Sequence, residues 1–126
     1  MKINQPLTLQ EVEQVFDAYE KALVGNDMAK LDELFWNDAA TLRYGAGENL
    51  VGFDAIQAFR LQRPSANLAR TVTSRHITTF GTDYAVANIT FTKVGESRIG
   101  RQTQTWVKFP NGWHVVAAHV SWMEGK

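Results

Sequence analysis

Apolar residues in the first third of the chain recur at helical spacing. Leu9, Val12, Val15, Phe16, Tyr19, Ala22 and Leu23 fall on one stripe, so the pattern predicts an amphipathic helix. Thr8 and Glu11 have the spacing of a capping box, and Leu7 and Val12 that of a hydrophobic staple, while Gly25 supplies a stop. Asn26 or Asp27 can cap a shorter helix through Met28, Leu31, Leu34 and Phe35, giving an αα-hairpin. Residues 40–44 then turn strand-like, Gly45-Ala46-Gly47 makes a turn, residues 48–51 return, and residues 53–63 form a third helix ended by Pro64.

From residue 69 onward the period becomes two. Four runs rich in threonine, valine, isoleucine and aromatics span 69–80, 84–94, 99–109 and 113–123, separated by Gly81-Thr82-Asp83, Gly95-Glu96-Ser97 and Pro110-Asn111-Gly112. This is an antiparallel meander. Helices gathered first and strands afterwards define one α+β domain over residues 1–126, a curved antiparallel sheet wrapped around the N-terminal helices. Such a bend leaves room that side chains do not fill, which is the default place for a ligand. Apolar and aromatic residues on both sheet faces exceed what three helices can cover. They lead to the expectation of a two-fold homodimer through the outer face.

Composition narrows the chemistry. The 126 residues match one core, and 13 basic residues balance 13 acidic ones, so no net field draws the chain to nucleic acid or an anionic membrane. Zero cysteines exclude disulfides, thiolate catalysis and every cysteine-based metal site. No apolar run reaches the roughly 18 residues of a spanning helix, and the start, MKINQPLTLQE, lacks the apolar stretch of a signal peptide; a soluble cytoplasmic protein is expected.

Several motifs resolve into ordinary structure. Gly45, Gly47 and Gly52 miss phosphate-loop spacing, and Asn88-Ile89-Thr90, a glycosylation sequon on paper, lies inside a strand. His114 and His119, five apart, are expected on opposite faces of one strand, which leaves His76 too few companions for a metal site. His119 and Ser121 share a face without an acid to orient the base. The four long runs contain no interior Asp or Glu, which removes the acids of a steroid-isomerase-type base or of a glycosidase pair and leaves a pocket neutral to cationic.

Two residues stand out. Tyr19 occupies an apolar stripe, where it either packs with one hydrogen bond or presents its phenol to a ligand; Arg43, between Leu42 and Tyr44, either snorkels outward or points into the cavity. Asn88, Thr90 and Thr92 share one strand face, as do Gln102, Gln104 and Trp106, so Asn88, Gln102 and Gln104 are candidate ligand-binding amides. Arg60 and Arg63, three apart on the third helix, are expected to be solvated.

The combination of FDAYEKALVGND (16–27), LFW (34–36), TLRYGAGENLVG (41–52), AFRLQRP (58–64), GRQTQTW (100–106) and AAHVS (117–121) resembles the AtzH-like family of the SnoaL-like, nuclear-transport-factor-like superfamily, and within it the HpxZ branch associated with oxalurate catabolism. The resemblance covers the whole chain and implies a cone-shaped α+β fold, a homodimer, and work beside amidase-signature hydrolases that dismantle urea-like compounds. It also implies decarboxylation of an N-carboxylated urea without cofactor or metal, with Tyr19 and Arg43 matching the family's catalytic tyrosine and arginine. Two other readings remain at this point: a non-catalytic carrier of a small anionic ureido or carboxylate metabolite, and an accessory subunit of an amidase, for which an exposed apolar patch would be the main feature.

Overall fold

A computed structural model describes residues 1–124. The first helix, α1 (Pro6–Val24), starts earlier than a capping box at Thr8 would place it. Pro6 sits at its first turn, where a missing N–H removes no hydrogen bond, and Gln5 precedes it without a side-chain cap. The start is held from outside instead: Asn4 N–H donates to the Thr79 carbonyl at 3.1 Å, and Asn4 Oδ1 accepts from the Thr79 N–H at 2.8 Å. Thr8 is therefore buried inside the helix, Leu7 is exposed rather than stapled, and Glu11 accepts from Trp113 Nε1 and Lys108 Nζ, both at 2.9 Å. Those two bonds, the tryptophan's first, hold the Glu11 carboxyl below its usual pKa.

The buried stripe of α1 runs through Thr8, Val12, Phe16, Tyr19 and Ala22, with Leu9 and Leu23 only partly covered. Helix α2 (Met28–Leu34) follows after Gly25 and Asn26, and Asp27 Oδ1 caps it by accepting from Lys30 N at 3.1 Å. The short hairpin β1 (Leu42–Tyr44) and β2 (Asn49–Val51) leads into α3 (Phe53–Gln62), and four long strands complete the chain: β3 (Thr71–Phe80), β4 (Tyr84–Thr92), β5 (Ile99–Phe109) and β6 (Gly112–Met123).

These strands form one six-stranded sheet in the order β2-β1-β6-β5-β4-β3. Every neighbouring pair is antiparallel except β1 with β6, which run parallel, so the sheet is mixed at one junction where an antiparallel sheet was expected. A tight turn would force opposite directions. Here α3 and four strands intervene between β1 and β6, and no turn constrains them.

Register shifts between Val72 and Ser74 and between Thr105 and Trp106 bend the long strands. The second places an extra residue, Val116, in β6, because Thr105 pairs with Ala117 while Trp106 pairs with Val115. Strand alternation is thereby reset, and His114 and His119 fall on the same outer face rather than on opposite ones. Inward from β4 and β5 come Ala85, Ala87, Ile89, Phe91, Gln102, Gln104 and Trp106, all buried, and they meet Val12, Phe16, Leu31, Phe35 and Ile56 from the helices. Among the described residues no helix is long and apolar enough to cross a membrane.

Near the start of β5, Gly100 lets the Phe91 ring lie directly on the backbone. A Cβ there would stand 2.2 Å from Phe91 Cζ, and the ring cannot retreat because it packs on Trp122, with centroids 5.4 Å apart. Gly100→Ala should therefore destabilise the fold by about 1–3 kcal/mol, read from urea unfolding, with part of the loss recovered when Phe91→Leu is added. An unchanged unfolding midpoint for Gly100→Ala would contradict this packing.

Candidate functional site

The concave side of the sheet encloses a cavity of about 150 Å³, the size class of an apolar engineered cavity that holds benzene. Its lining is not apolar, however. Tyr19 from α1, Arg43 from β1, Arg63 after α3, Arg70 before β3, Lys93 after β4 and Gln102 from β5 all contribute to it. Leu23, Phe91, Val120 and Trp122 supply the apolar walls. Beneath Tyr19 a much smaller recess reaches Ile56, Phe59 and Arg60, and outward the cavity adjoins an open groove that shares Lys93 and Trp122. Among the described residues no carboxylate lines either the cavity or the recess.

Each side chain arrives by a traceable local cause. Arg43 pairs across the parallel junction with Ala118, a buried inner-face residue of β6, so β1 turns the arginine toward the concave side. There Arg43 Nη1 donates to Glu48 Oε2 at 2.7 Å, and its guanidinium carbon lies 5.6 Å from the Phe59 ring centre. Tyr19, 6% exposed, has its ring wedged between Phe16 and Phe35 at centroid distances of 6.4 and 6.2 Å. Tyr19, Arg43, Arg60 and Arg63 all line the small recess beneath that ring.

Arg60 and Arg63 are not solvated as expected. Phe53, Ile56, Arg60 and Arg63 follow one another at spacings of three, four and three, so the arginines continue the core-facing stripe of α3. Arg60 is 6% exposed, forms an ion pair with Asp32 and lies 5.0 Å from the Phe35 ring centre; Gln57 Nε2 holds the other oxygen of Asp32 at 2.9 Å. Burial lowers the Arg60 pKa, with Tyr19 and Asp32 acting in the opposite sense. Arg63 is lowered by burial and then by its neighbour Arg60, and its Nε and Nη2 are buried with no acceptor among the described residues.

On the opposite wall Arg70 pairs with Glu20, donates to Gln102 Oε1 at 3.2 Å and lies 4.4 Å from the Phe91 ring centre. With Oε1 so engaged, Gln102 Nε2 is left buried without a partner. Lys93 donates to the Asn67 carbonyl. Burial lowers its pKa, and Arg70 and Arg63 lower it further. The unfolded chain then holds more protons than the folded one between that depressed value and 10.5, so this lysine contributes stability that rises with pH across the interval.

Three of the candidate side chains, Tyr19, Arg43 and Gln102, thus meet in one cavity. Two do not. Asn88 lies on the exposed outer face, where its Oδ1 accepts from Thr103 Oγ1 at 2.6 Å, because β4 turns Ala87 and Ile89 inward and so must turn Asn88 out. Gln104 faces inward but deeper in the core, where its Oε1 accepts from Trp106 Nε1 at 3.1 Å. His76 and His119 are exposed, and His114 bonds the Glu33 carbonyl and Asn111 Oδ1, all away from the cavity. Arg63, Arg70 and Lys93 were missed by sequence reasoning; Arg63 carried a signal in the continuing stripe of α3, and Lys93 one in its alternation with Ala87, Ile89 and Phe91.

Helices laid across the concave face of a bent sheet, closing over a cavity, define the NTF2-like, or cystatin-like, class of folds. Within that class the chain belongs to the AtzH-like family, whose model matches residues 1–126. A crystal structure of a protein of unknown function from Pectobacterium atrosepticum is 59% identical, with a TM-score of 0.96 over 97% of this chain and 95% of the other. A cystatin-like fold protein from Burkholderia xenovorans is 40% identical, with a TM-score of 0.96 over 100% of this chain and 99% of that one. An NTF2-like superfamily protein from Salmonella enterica, 22% identical with a TM-score of 0.74 over 95% and 94% of the two chains, shares the fold alone. No curated protein matches the chain.

The cluster depends on Asp32 to balance a guanidinium that is almost wholly buried. Asp32→Ala should cost about 3 kcal/mol in a denaturant melt, because Arg60 is left charged and unpaired, and adding Arg60→Met should recover most of it. If Asp32→Ala melted like the wild type, the pair would not be a structural support of the site.

Proposed function

We propose that the cavity binds a small ureido-carboxylate anion and releases carbon dioxide from it, as a cofactor-independent step of ureide or oxalurate nitrogen catabolism in the cytoplasm. What carries the reading is the convergence of Tyr19 and Arg43 on one cavity rich in guanidinium and ammonium groups, within a chain of the AtzH-like family. An anion entering it meets guanidinium and ammonium groups from several directions and, among the described residues, no lining carboxylate to repel it.

The chemistry balances with the residues present. In an N-carboxylated urea the C–N bond to the carboxylate breaks, its electron pair stays on nitrogen, and carbon dioxide departs. The Tyr19 hydroxyl gives its proton to that nitrogen, or to the conjugated carbonyl oxygen, and the resulting phenolate regains a proton from water. Arg43 holds the ligand's carboxylate by charge-assisted hydrogen bonds, at the expense of its bond to Glu48, and Arg60 and Arg63 stand where they offset the charge that develops on Tyr19. The urea carbonyl already delocalises the charge left on nitrogen, so the site needs only to position the ligand and supply one proton.

Assembly belongs to the same proposal. The outer sheet face carries no helix, and Val86, Val107 and Ala117 lie half-buried at its centre among threonines, which suits a second copy of the chain placed face to face. An amidase-family hydrolase is the proposed metabolic neighbour, acting on the ureido product.

Arg43→Ala should weaken ligand binding by about 2–5 kcal/mol, the range for breaking a desolvated charge pair. Tyr19→Phe should leave affinity within a few-fold and slow carbon dioxide release at least about tenfold, because the lost donor acts mainly in the transition state. Carbon dioxide release from a freshly prepared N-carboxylated urea and calorimetric affinity separate the cases. Undiminished release by Tyr19→Phe would leave a carrier, and undiminished affinity of Arg43→Ala would remove the carboxylate anchor. Light scattering should give the mass of two chains; a monomer at tens of micromolar would contradict the face-to-face pairing.

A further inference from the structure

Three carboxylates answer the arginines around the cavity, and they are held with unequal firmness. Glu20, on α1, takes two hydrogen bonds from Arg70, while Asp32, on α2, takes one from Arg60 and another from Gln57. Glu48 stands in the short turn between β1 and β2, at the edge of the sheet, and its one side-chain hydrogen bond among the described residues is the 2.7 Å bond from Arg43 Nη1. The seat of that carboxylate is the bare backbone of Gly45. A Cβ at Gly45 would overlap Glu48 Oε2 and stand 2.5 Å from its Cδ, so the carboxylate fills the place of the missing side chain. Gly45 is not one of the glycines with positive φ, so its backbone conformation does not call for glycine; the close approach of Glu48 does.

From this contact we infer that Glu48 is a built-in competitor for Arg43, a carboxylate of the chain itself that occupies the anchoring guanidinium until a ligand displaces it. The inference rests on the reading of Arg43 as the carboxylate anchor, and it gives Glu48 control over how tightly that anchor binds. Two carboxylates on one guanidinium repel each other, so each weakens the hold of the other. Glu48 has the advantage of its tether, since a separation of five residues keeps it at high effective concentration beside Arg43. A ligand therefore gains Arg43 only by supplying enough interaction to drive Glu48 off its seat. Once the proposed reaction has removed the ligand's carboxylate, nothing opposes the return of Glu48, and the product loses its anchor. A purely supporting role for Glu48 has the opposite sign: if the bond served only to hold Arg43 in place, losing it would loosen the anchor and weaken binding.

Calorimetric titration of the full chain with acetate, and with acetamide as its neutral counterpart, reads the competition without turnover. Glu48→Gln keeps the shape of the side chain and removes its charge. Acetate should then bind about tenfold more tightly, the factor expected when Arg43 is otherwise free about one tenth of the time. Gly45→Ala keeps the charge but fills the seat, and it should give most of the same gain, because the new methyl group expels Glu48 while the flexible tip of Arg43, 3.0 Å away, gives by little. Combining the two should add nothing further, and acetamide affinity should stay unchanged, with thermal melts confirming that each variant folds. Glu48→Gln binding acetate no more tightly than the wild type overturns the inference, as does an equal gain for acetamide. A gain confined to Glu48→Gln and absent from Gly45→Ala also overturns it, since the lost charge alone would then account for the effect. Arg43→Ala separates the inference from the reading beneath it. If that variant binds acetate as well as the wild type, anchor and competitor fall together; if it loses acetate while Glu48→Gln gains nothing, the anchor stands and the competitor falls.

Discussion

Guanidinium groups can be kept inside a protein only if each charge is answered nearby, and the interior of this chain is arranged around that constraint. Asp32, Glu20 and Glu48 meet Arg60, Arg70 and Arg43 from outside the cavity, on α2, on α1 and in the turn before β2. Aromatic faces take up the rest of the contact, Phe35 under Arg60, Phe91 under Arg70 and Phe59 beside Arg43. Because the balancing acids stand behind the cations, no carboxylate of the described residues lines the cavity itself. The same ion pairs tie α1 to the segment before β3 and α2 to α3, so the electrostatics of the site and the clamping of the helices onto the sheet are one set of interactions.

The sheet provides the space in which that arrangement works. Two bulges and the unobstructed backbone of Gly100 let β3, β5 and β6 bend, and Phe91 and Trp122 fill part of the resulting concavity. What they leave is bounded on one side by α1, which brings Tyr19 in on its apolar stripe, and on another by the segment from Arg63 to Arg70. The parallel pairing of β1 with β6 matters for the chemistry, since it is the register with Ala118 that turns Arg43 inward. A phenol flanked by guanidiniums in a partly desolvated recess can give up a proton to a neighbour without leaving an isolated negative charge.

Much of this was determined by the sequence on its own. Helical and strand periods, the glycine and proline punctuation and the change of period near residue 69 describe local preferences, and local preferences are set within a few residues of chain. Hence the order of elements and the buried stripe of α1 could be read directly. The absence of interior strand acids was equally legible, and with it the positive character of the cavity. Tyr19 and Arg43 were marked by position and by family resemblance together.

Tertiary structure decided what depends on contacts between distant segments. Parity along β6 was legible only until Val116 bulged, after which His114 and His119 came to share a face. Asn88 and Gln102 looked alike as amides on alternating strands, and only the docking of α1 against one side of the sheet made one outer and the other inner. The helix start moved from Thr8 to Pro6 because Asn4 is fastened to Thr79, 75 residues away. Arg70 and Lys93 fall at the ends of the runs 69–80 and 84–94, just beyond β3 and β4, and they become site residues only because the curved sheet brings both strand ends over the same cavity. The direction of β1 against β6 was open for the same reason: a tight turn constrains strand direction through covalent geometry, whereas a pairing across about seventy residues is settled by which packing buries the most apolar surface and leaves the fewest charges unanswered.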